Sequence, residues 1–144
     1  MKIEELFEEW EKDCVIDKTE LGDEAVRIAK LHSKYLKWMF EERLRLKKMD
    51  SEFKQLKLEK YEFYTQGPTK EQREKGWELP PKGMILKQDL NMYMDADKDI
   101  IDHSLKIGLQ QEKAQLLEDI IKSLNNRGYN ISAAITWARF TMGA

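Results

Sequence analysis

From Asp17 to Tyr64 the chain has no proline and a single glycine, Gly22, and it carries an apolar seam that recurs every three or four residues. The seam runs through Leu21, Ala25, Ile28, His32, Tyr35, Met39, Glu42, Leu46, Met49, Phe53, Leu56, Lys60 and Phe63, and only His32, Glu42 and Lys60 interrupt its apolar character. Strand alternation cannot produce this spacing, so residues 17–64 read as one long helix. Asp17 with Glu20 reads as a capping box and Ile16 with Leu21 as a hydrophobic staple at its start. Thr65-Gln66-Gly67-Pro68 marks its end. A helix from Lys18 to Tyr64 is about 70 Å long at ~1.5 Å per residue. A compact domain of this size has a radius of gyration of only about 15 Å. An unbroken helix therefore predicts that neighbouring copies cover the seam. A break at Asp50-Ser51, either residue capping a second helix, is the competing reading and allows a monomeric bundle.

The flanks are helical as well. Residues 1–13 hold an acidic amphipathic helix with Ile3, Leu6, Phe7 and Trp10 on one side. Such a helix packs by that stripe, or reaches for a basic surface. Residues 65–83 hold all three prolines, with Gly67, Gly76 and Gly83, and read as an irregular loop around Trp77 with one helical turn near Glu71–Lys75. From Met84 the helical spacing returns in Leu86, Leu90, Tyr93, Ile100, Ile107, Ala114, Leu117, Ile121 and Leu124. Gly108 weakens this pattern. Asn125-Asn126-Arg127-Gly128 reads as a stop, and Asn130 as the cap of a last short helix bearing Ile131, Ala134, Ile135, Ala138 and Met142. No strand pattern emerges. The expected fold class is all-α, with residues 1–144 forming one helical domain whose part 84–144 serves oligomerisation.

Charge is unevenly spread. Residues 1–24 carry three basic and ten acidic groups, whereas residues 25–64 carry eleven basic and six acidic ones. An acidic arm followed by a basic middle makes a dipolar chain that the net charge of −2 conceals. With Cys14 alone no intrachain disulfide is possible, which suits a reducing compartment, and its acidic setting argues against a catalytic thiol. No segment has the length and apolarity to span a bilayer, and the acidic start is unlike a signal peptide.

Motifs for catalysis are missing: there is no phosphate loop and no dinucleotide fingerprint. Asp95-Ala96-Asp97-Lys98-Asp99 starts like a calcium loop but has Ile100 and Lys106 where glycine and glutamate are needed. Asp99 and His103 read as an ordinary helix-surface pair, and Asp95 or Asp97 as a helix N-cap. No cofactor or metal is expected.

The basic middle carries the functional signal. Arg43, Arg45, Lys47, Lys48, Lys54, Lys57 and Lys60 run into Tyr61, Phe63 and Tyr64. Cations that track phosphates, with rings that stack on unpaired bases, suit single-stranded nucleic acid. Lys57 and Lys60 share a helical face adjoining Tyr61 and Tyr64, whereas Tyr35 and Phe63, on the seam, belong to the core. A helical scaffold or adaptor that binds only proteins, its charges serving solubility, is the alternative.

Several short stretches, in order and spacing, resemble the UvsY recombination mediators of T-even-like phages. They are Ile16-Asp17 with Thr19 and Leu21, Glu24-Ala25, Ser33-Lys34-Tyr35-Leu36, Tyr64 with a following glycine, Ala96-Asp97-Lys98-Asp99, and Arg127-Gly128-Tyr129 with Ile131. The loop at about 67–83 is unlike that family. The resemblance implies a non-enzymatic accessory protein of homologous recombination in the cytoplasm of an infected bacterial host. It implies three kinds of partner: single-stranded DNA, a RecA-like phage recombinase and the phage single-strand-binding protein. It also implies an all-helical ring of six or seven subunits. Aligned on Tyr64, the family's basic pair falls on Lys60, which matches, and on Leu58, which does not, with Lys57 beside it.

Overall fold

In the computed structural model, which describes residues 1–143, every regular element is a helix. The order is α1 (Ile3–Asp13), α2 (Leu21–Gln66), α3 (Lys70–Glu74), α4 (Leu90–Asp95) and α5 (Lys98–Thr141). Packing divides the chain, read from its sequence as one domain, into two compact units: Met1–Leu44 with Gln111–Ala144, and Arg45–Gln110. Helix α2 is continuous over 46 residues, so Asp50-Ser51 is not a break. Ser51 instead turns its hydroxyl back to the Lys47 carbonyl at 3.1 Å, a bond made inside a helix. The helix starts three residues later than Lys18, because Asp17 takes both the amide (2.9 Å) and the hydroxyl (2.6 Å) of Thr19 and so closes a turn ahead of the helix.

In the first unit, Leu6, Leu31, Tyr35, Met39, Leu117, Ile120 and Leu124 form the core, joining α1, α2 and α5. Trp10, Tyr35 and Trp38 meet edge to face at 5.6 and 5.2 Å, each pair adding about 0.5–1.5 kcal/mol beyond burial. Phe7 is half exposed rather than docked, since Leu6 and Trp10, four residues apart, already form the line that α1 presents to the core. The stop at Gly128 does not occur. Helix α5 runs through Gly108, Gly128 and Asn130 to Thr141. Ile131 is 3% exposed, and burying such a side chain contributes about 1.5–3 kcal/mol, more than the ~1 kcal/mol that a helical glycine costs.

In the second unit, Phe63 and Tyr64 at the end of α2 pack with Ile85 and Leu90, bordered by Trp77, Leu79, Tyr93 and Met94. Gly67 ends α2 at φ +92, with its amide on the Phe63 carbonyl at 3.0 Å. The expected turn near residue 71 is α3, capped by Thr69, whose hydroxyl accepts from the Gln72 amide while the Gln72 side chain accepts from the Thr69 amide. Residues 84–89 are irregular instead of helical, and α5 begins only after Asp97, whose carboxylate accepts from the Ile100 amide at 3.0 Å. Of the two candidate caps, Asp97 is the one used.

Every seam position from Ile28 to Phe63 is buried or half-buried within one chain. The expectation that neighbouring copies must cover it is therefore corrected: α5, at 44 residues, nearly equals α2 in length and supplies the cover in each unit. The seam's two charges are answered locally. Glu42 lies 3.8 Å from the Lys113 ammonium and 3.9 Å from the Met1 amine, and Lys60 is answered by two aspartates.

Candidate nucleic-acid interface

Helical geometry sorts the basic residues of α2 by side. Lys47, Lys54 and Tyr61 are seven residues apart and project from one side of the helix, with Lys57 between the last two. All four are exposed. Asp50 is the one acid in that row, set against three lysines. On the other side, Arg45, Glu52 and Glu59 are seven apart and Lys48 is four before Glu52, so two cations are balanced by two acids there. Arg43 belongs to the first unit and lies 3.6 Å from Glu118. Of the sequence-predicted cations, then, Lys47, Lys54 and Lys57 share a predominantly positive row with a ring at its end, while Arg45 and Lys48 stand apart from it.

Lys57 sits 4.6 Å over the Phe53 ring, which itself stacks on His103 at 5.3 Å. The ammonium stays exposed while its stem covers apolar surface. Exposed Leu58 and Tyr61 border a groove of about 430 Å³ shared with Asn91, Met94 and Asp95 of α4. Sequence reasoning places none of these three α4 residues at a binding surface. Their only signal in the chain is the abortive calcium-like loop that begins at Asp95. That loop gathers no ligand set: among the described residues no cluster of His, Cys, Asp or Glu side chains could hold a metal ion.

Lys60 and Tyr64 do not lie on that exposed row. Lys60 is 4% exposed, with its ammonium 3.1 Å from Asp97, 2.8 Å from Asp99 and 3.6 Å over the Trp77 ring. The Tyr64 hydroxyl donates to Asp97 at 2.6 Å. The shared face expected for Lys57 and Lys60 is thus divided, because Lys60 is a seam position and Lys57 lies three residues back on the seam's rim. Burial pushes the Asp97 carboxyl up, but hydrogen bonds from Tyr64, the Ile100 amide and Lys60 outweigh it and hold the group below the usual carboxylate value. Burial, and then the bond to Asp97, push the Tyr64 hydroxyl well above the ordinary phenol value. Asp99 binds Lys60, and His103 stacks on Phe53, so the expected Asp99–His103 pairing gives way to two separate contacts.

A family model described as "Recombination, repair and ssDNA binding protein UvsY" matches residues 9–144. Crystal structures of the bacteriophage T4 recombination mediator protein UvsY share the fold. Lattice type II superposes with a TM-score of 0.81 at 22% identity, covering 99% of this chain and 98% of that one. Lattice type IV gives 0.80 at 20% identity over 98% and 99%, and lattice type I gives 0.78 at 23% over 95% and 98%. No curated protein matches the chain by sequence.

Proposed function

The chain belongs to the UvsY family, and from that premise we propose that it is a recombination mediator, an accessory protein without chemistry of its own. It binds single-stranded DNA and helps a RecA-like recombinase replace the phage single-strand-binding protein there, in the cytoplasm of the infected host. The observation that carries this reading is the exposed row Lys47–Lys54–Lys57 ending in Tyr61, one side of one helix with three cations against a single acid. The lysines neutralise phosphates and release counterions, while the ring stacks on an unpaired base. Lys60 and Tyr64 serve differently: they hold the end of α2 on Asp97, so that the row keeps its orientation. No helix among the described residues is long and apolar enough to cross a membrane.

The same reading includes a ring of six or seven copies. Leu44, Leu105, Leu109, Trp137 and Phe140 are each more than half exposed, apolar surface that suits contact between copies. A ring raises the effective concentration of weak sites and lets one strand engage several rows without any new type of contact.

Fluorescence anisotropy with a labelled single-stranded oligonucleotide across a salt series tests the proposal. Log affinity is expected to fall linearly with log salt, by ~0.7 per neutralised phosphate. Replacing Lys47, Lys54 and Lys57 by alanine is expected to reduce that slope by about 2 per subunit engaged, whereas Arg45→Ala with Lys48→Ala changes it little. A flat salt response in the unaltered protein would overturn the reading.

A further inference from the structure

We propose that the groove beside Tyr61 is a seat for a single unstacked nucleobase and that it favours bases carrying an exocyclic amino group. The inference rests on the reading of α2 as a single-strand contact and adds a specificity to it. The groove of about 430 Å³ lies within the size range of small-molecule sites. Its α2 wall offers the Tyr61 ring, 40% exposed, and the Leu58 side chain, 60% exposed, an apolar surface on which a base stacks. Its α4 wall offers Met94 with the Asn91 amide and the Asp95 carboxylate, and Ile100 of α5 completes the lining.

The neighbouring row of α2 supplies the charge for a nucleotide. Lys57 and Asp95 both line this groove and the adjoining one of about 310 Å³ beside Phe53, so within the grooves one cation meets one anion, and the surplus of positive charge comes from Lys54 and Lys47, about one and three turns back on the same side of α2.

The polar pair decides which base. A carboxylate only accepts hydrogen bonds, so Asp95 pairs with the amino group of cytosine, adenine or guanine, whereas the one donor that thymine offers, its N3–H, lies between two carbonyl oxygens that repel the carboxylate. Asn91 can donate to the ring nitrogen or carbonyl beside that amino group. Oligo-dC and oligo-dT, both pyrimidines, differ at this point of contact.

Anisotropy titrations of the full-length protein with labelled oligo-dC and oligo-dT of equal length, at one fixed salt concentration, test this. Oligo-dC is expected to bind about fivefold tighter. Asn91→Ala with Asp95→Ala is expected to bring the ratio of the two affinities to one, and Tyr61→Ala to weaken both oligonucleotides about tenfold. Equal, salt-sensitive binding of the two by the unaltered protein overturns the base seat while leaving the single-strand reading in place. Binding of neither at low salt overturns both. If Tyr61→Ala binds oligo-dC as the unaltered protein does, the seat is overturned and the groove falls to an apolar protein segment.

Discussion

Each unit of the molecule holds an aspartate between a lysine and a tyrosine of α2. In the first unit Asp13 takes the Lys34 ammonium and the Tyr35 hydroxyl, both at 2.8 Å. In the second, Asp97 takes Lys60 at 3.1 Å and Tyr64 at 2.6 Å. Both lysines also lie over a tryptophan, Trp38 at 4.9 Å and Trp77 at 3.6 Å. The chemistry is the same and the setting is not. The Lys34 and Asp13 side chains keep 32% and 15% exposure, whereas Lys60 and Asp97 keep 4% and 6%. Asp13 is the last residue of α1, at the end whose dipole disfavours an anion, and Lys34 and Arg27 offset that. Asp97 precedes the first turn of α5, where the dipole favours it and an amide is waiting. One cluster is a partly solvated strap; the other is a buried joint that fixes where α5 begins.

The largest expected effect follows from that difference. Asp97→Ala leaves Lys60, buried, with the half-exposed Asp99 as its one carboxylate, takes the acceptor from the Tyr64 hydroxyl and removes a helix cap, which should cost about 3–5 kcal/mol. Asp13→Ala, with Lys34 still bound to Glu9 and water near, should cost about 1–2 kcal/mol. Urea unfolding of the two variants measures both. Equal losses, or the reverse order, would break the contrast between strap and joint.

Lysine substitutions sharpen it from the other side. Lys60→Ala is expected to destabilise the second unit by about 3 kcal/mol, because Asp97 remains buried without its charge partner. Lys57→Ala, one turn away and exposed, should alter stability by no more than about 0.5 kcal/mol yet weaken oligonucleotide binding. If the two variants lose binding alike with stability intact, Lys60 is itself a contact and the joint opens on DNA.

Acid and alkali act on both clusters. Asp13 feels burial, which raises it, but the bonds from Lys34 and Tyr35 and the nearby charges prevail, so its pKa, like that of Asp97, lies below the ordinary 3.8. The stability these carboxylates contribute is complete above that unfolded value and is lost as pH falls through their lower folded values. Tyr35 and Tyr64 are shifted the other way, by burial first and their aspartates second, from an ordinary 10.0. Their contribution is complete below about pH 10 and is lost as pH rises through the folded values. Phenolate absorbance followed to high pH should therefore show two protons released only with unfolding, and Tyr35→Phe and Tyr64→Phe should each remove one. Early release of either proton would mean that its aspartate does not hold it.

Much of this is legible in the chain, and one principle explains most of what is not. The heptad count puts Lys60 on the apolar seam, and the structure buries it there. The cluster of basic residues puts it with Lys57 on a binding face, and the structure separates the two. Periodicity is the stronger guide because it reports which side of a helix a residue occupies, whereas local charge density does not. The partners that make Lys60 tolerable, Asp97 and Asp99, lie 37 and 39 residues away, beyond any local pattern. The seam's cover escapes a local reading for the same reason: a helix of matching length returns from the far end of the chain. Asn91, Met94 and Asp95 give no hint of a groove, because their α4 has only six residues, too few for its spacing to stand out.

Punctuation is the other weakness, and it supplies the smallest test. Gly108 in the second unit and Gly128 in the first both lie inside α5 without a positive φ, and a Cβ added to either meets nothing within 4 Å. Their only cost is the backbone freedom lost on folding, so Gly108→Ala and Gly128→Ala should each stabilise by about 0.5–1 kcal/mol. Gly67, at φ +92, should respond in the opposite sense despite equally open space, because alanine is strained in that conformation. Thermal unfolding of the three variants reads the signs directly. A destabilised Gly128→Ala would mean that α5 does not continue past Asn125 in solution, and that the stop written in the sequence is real.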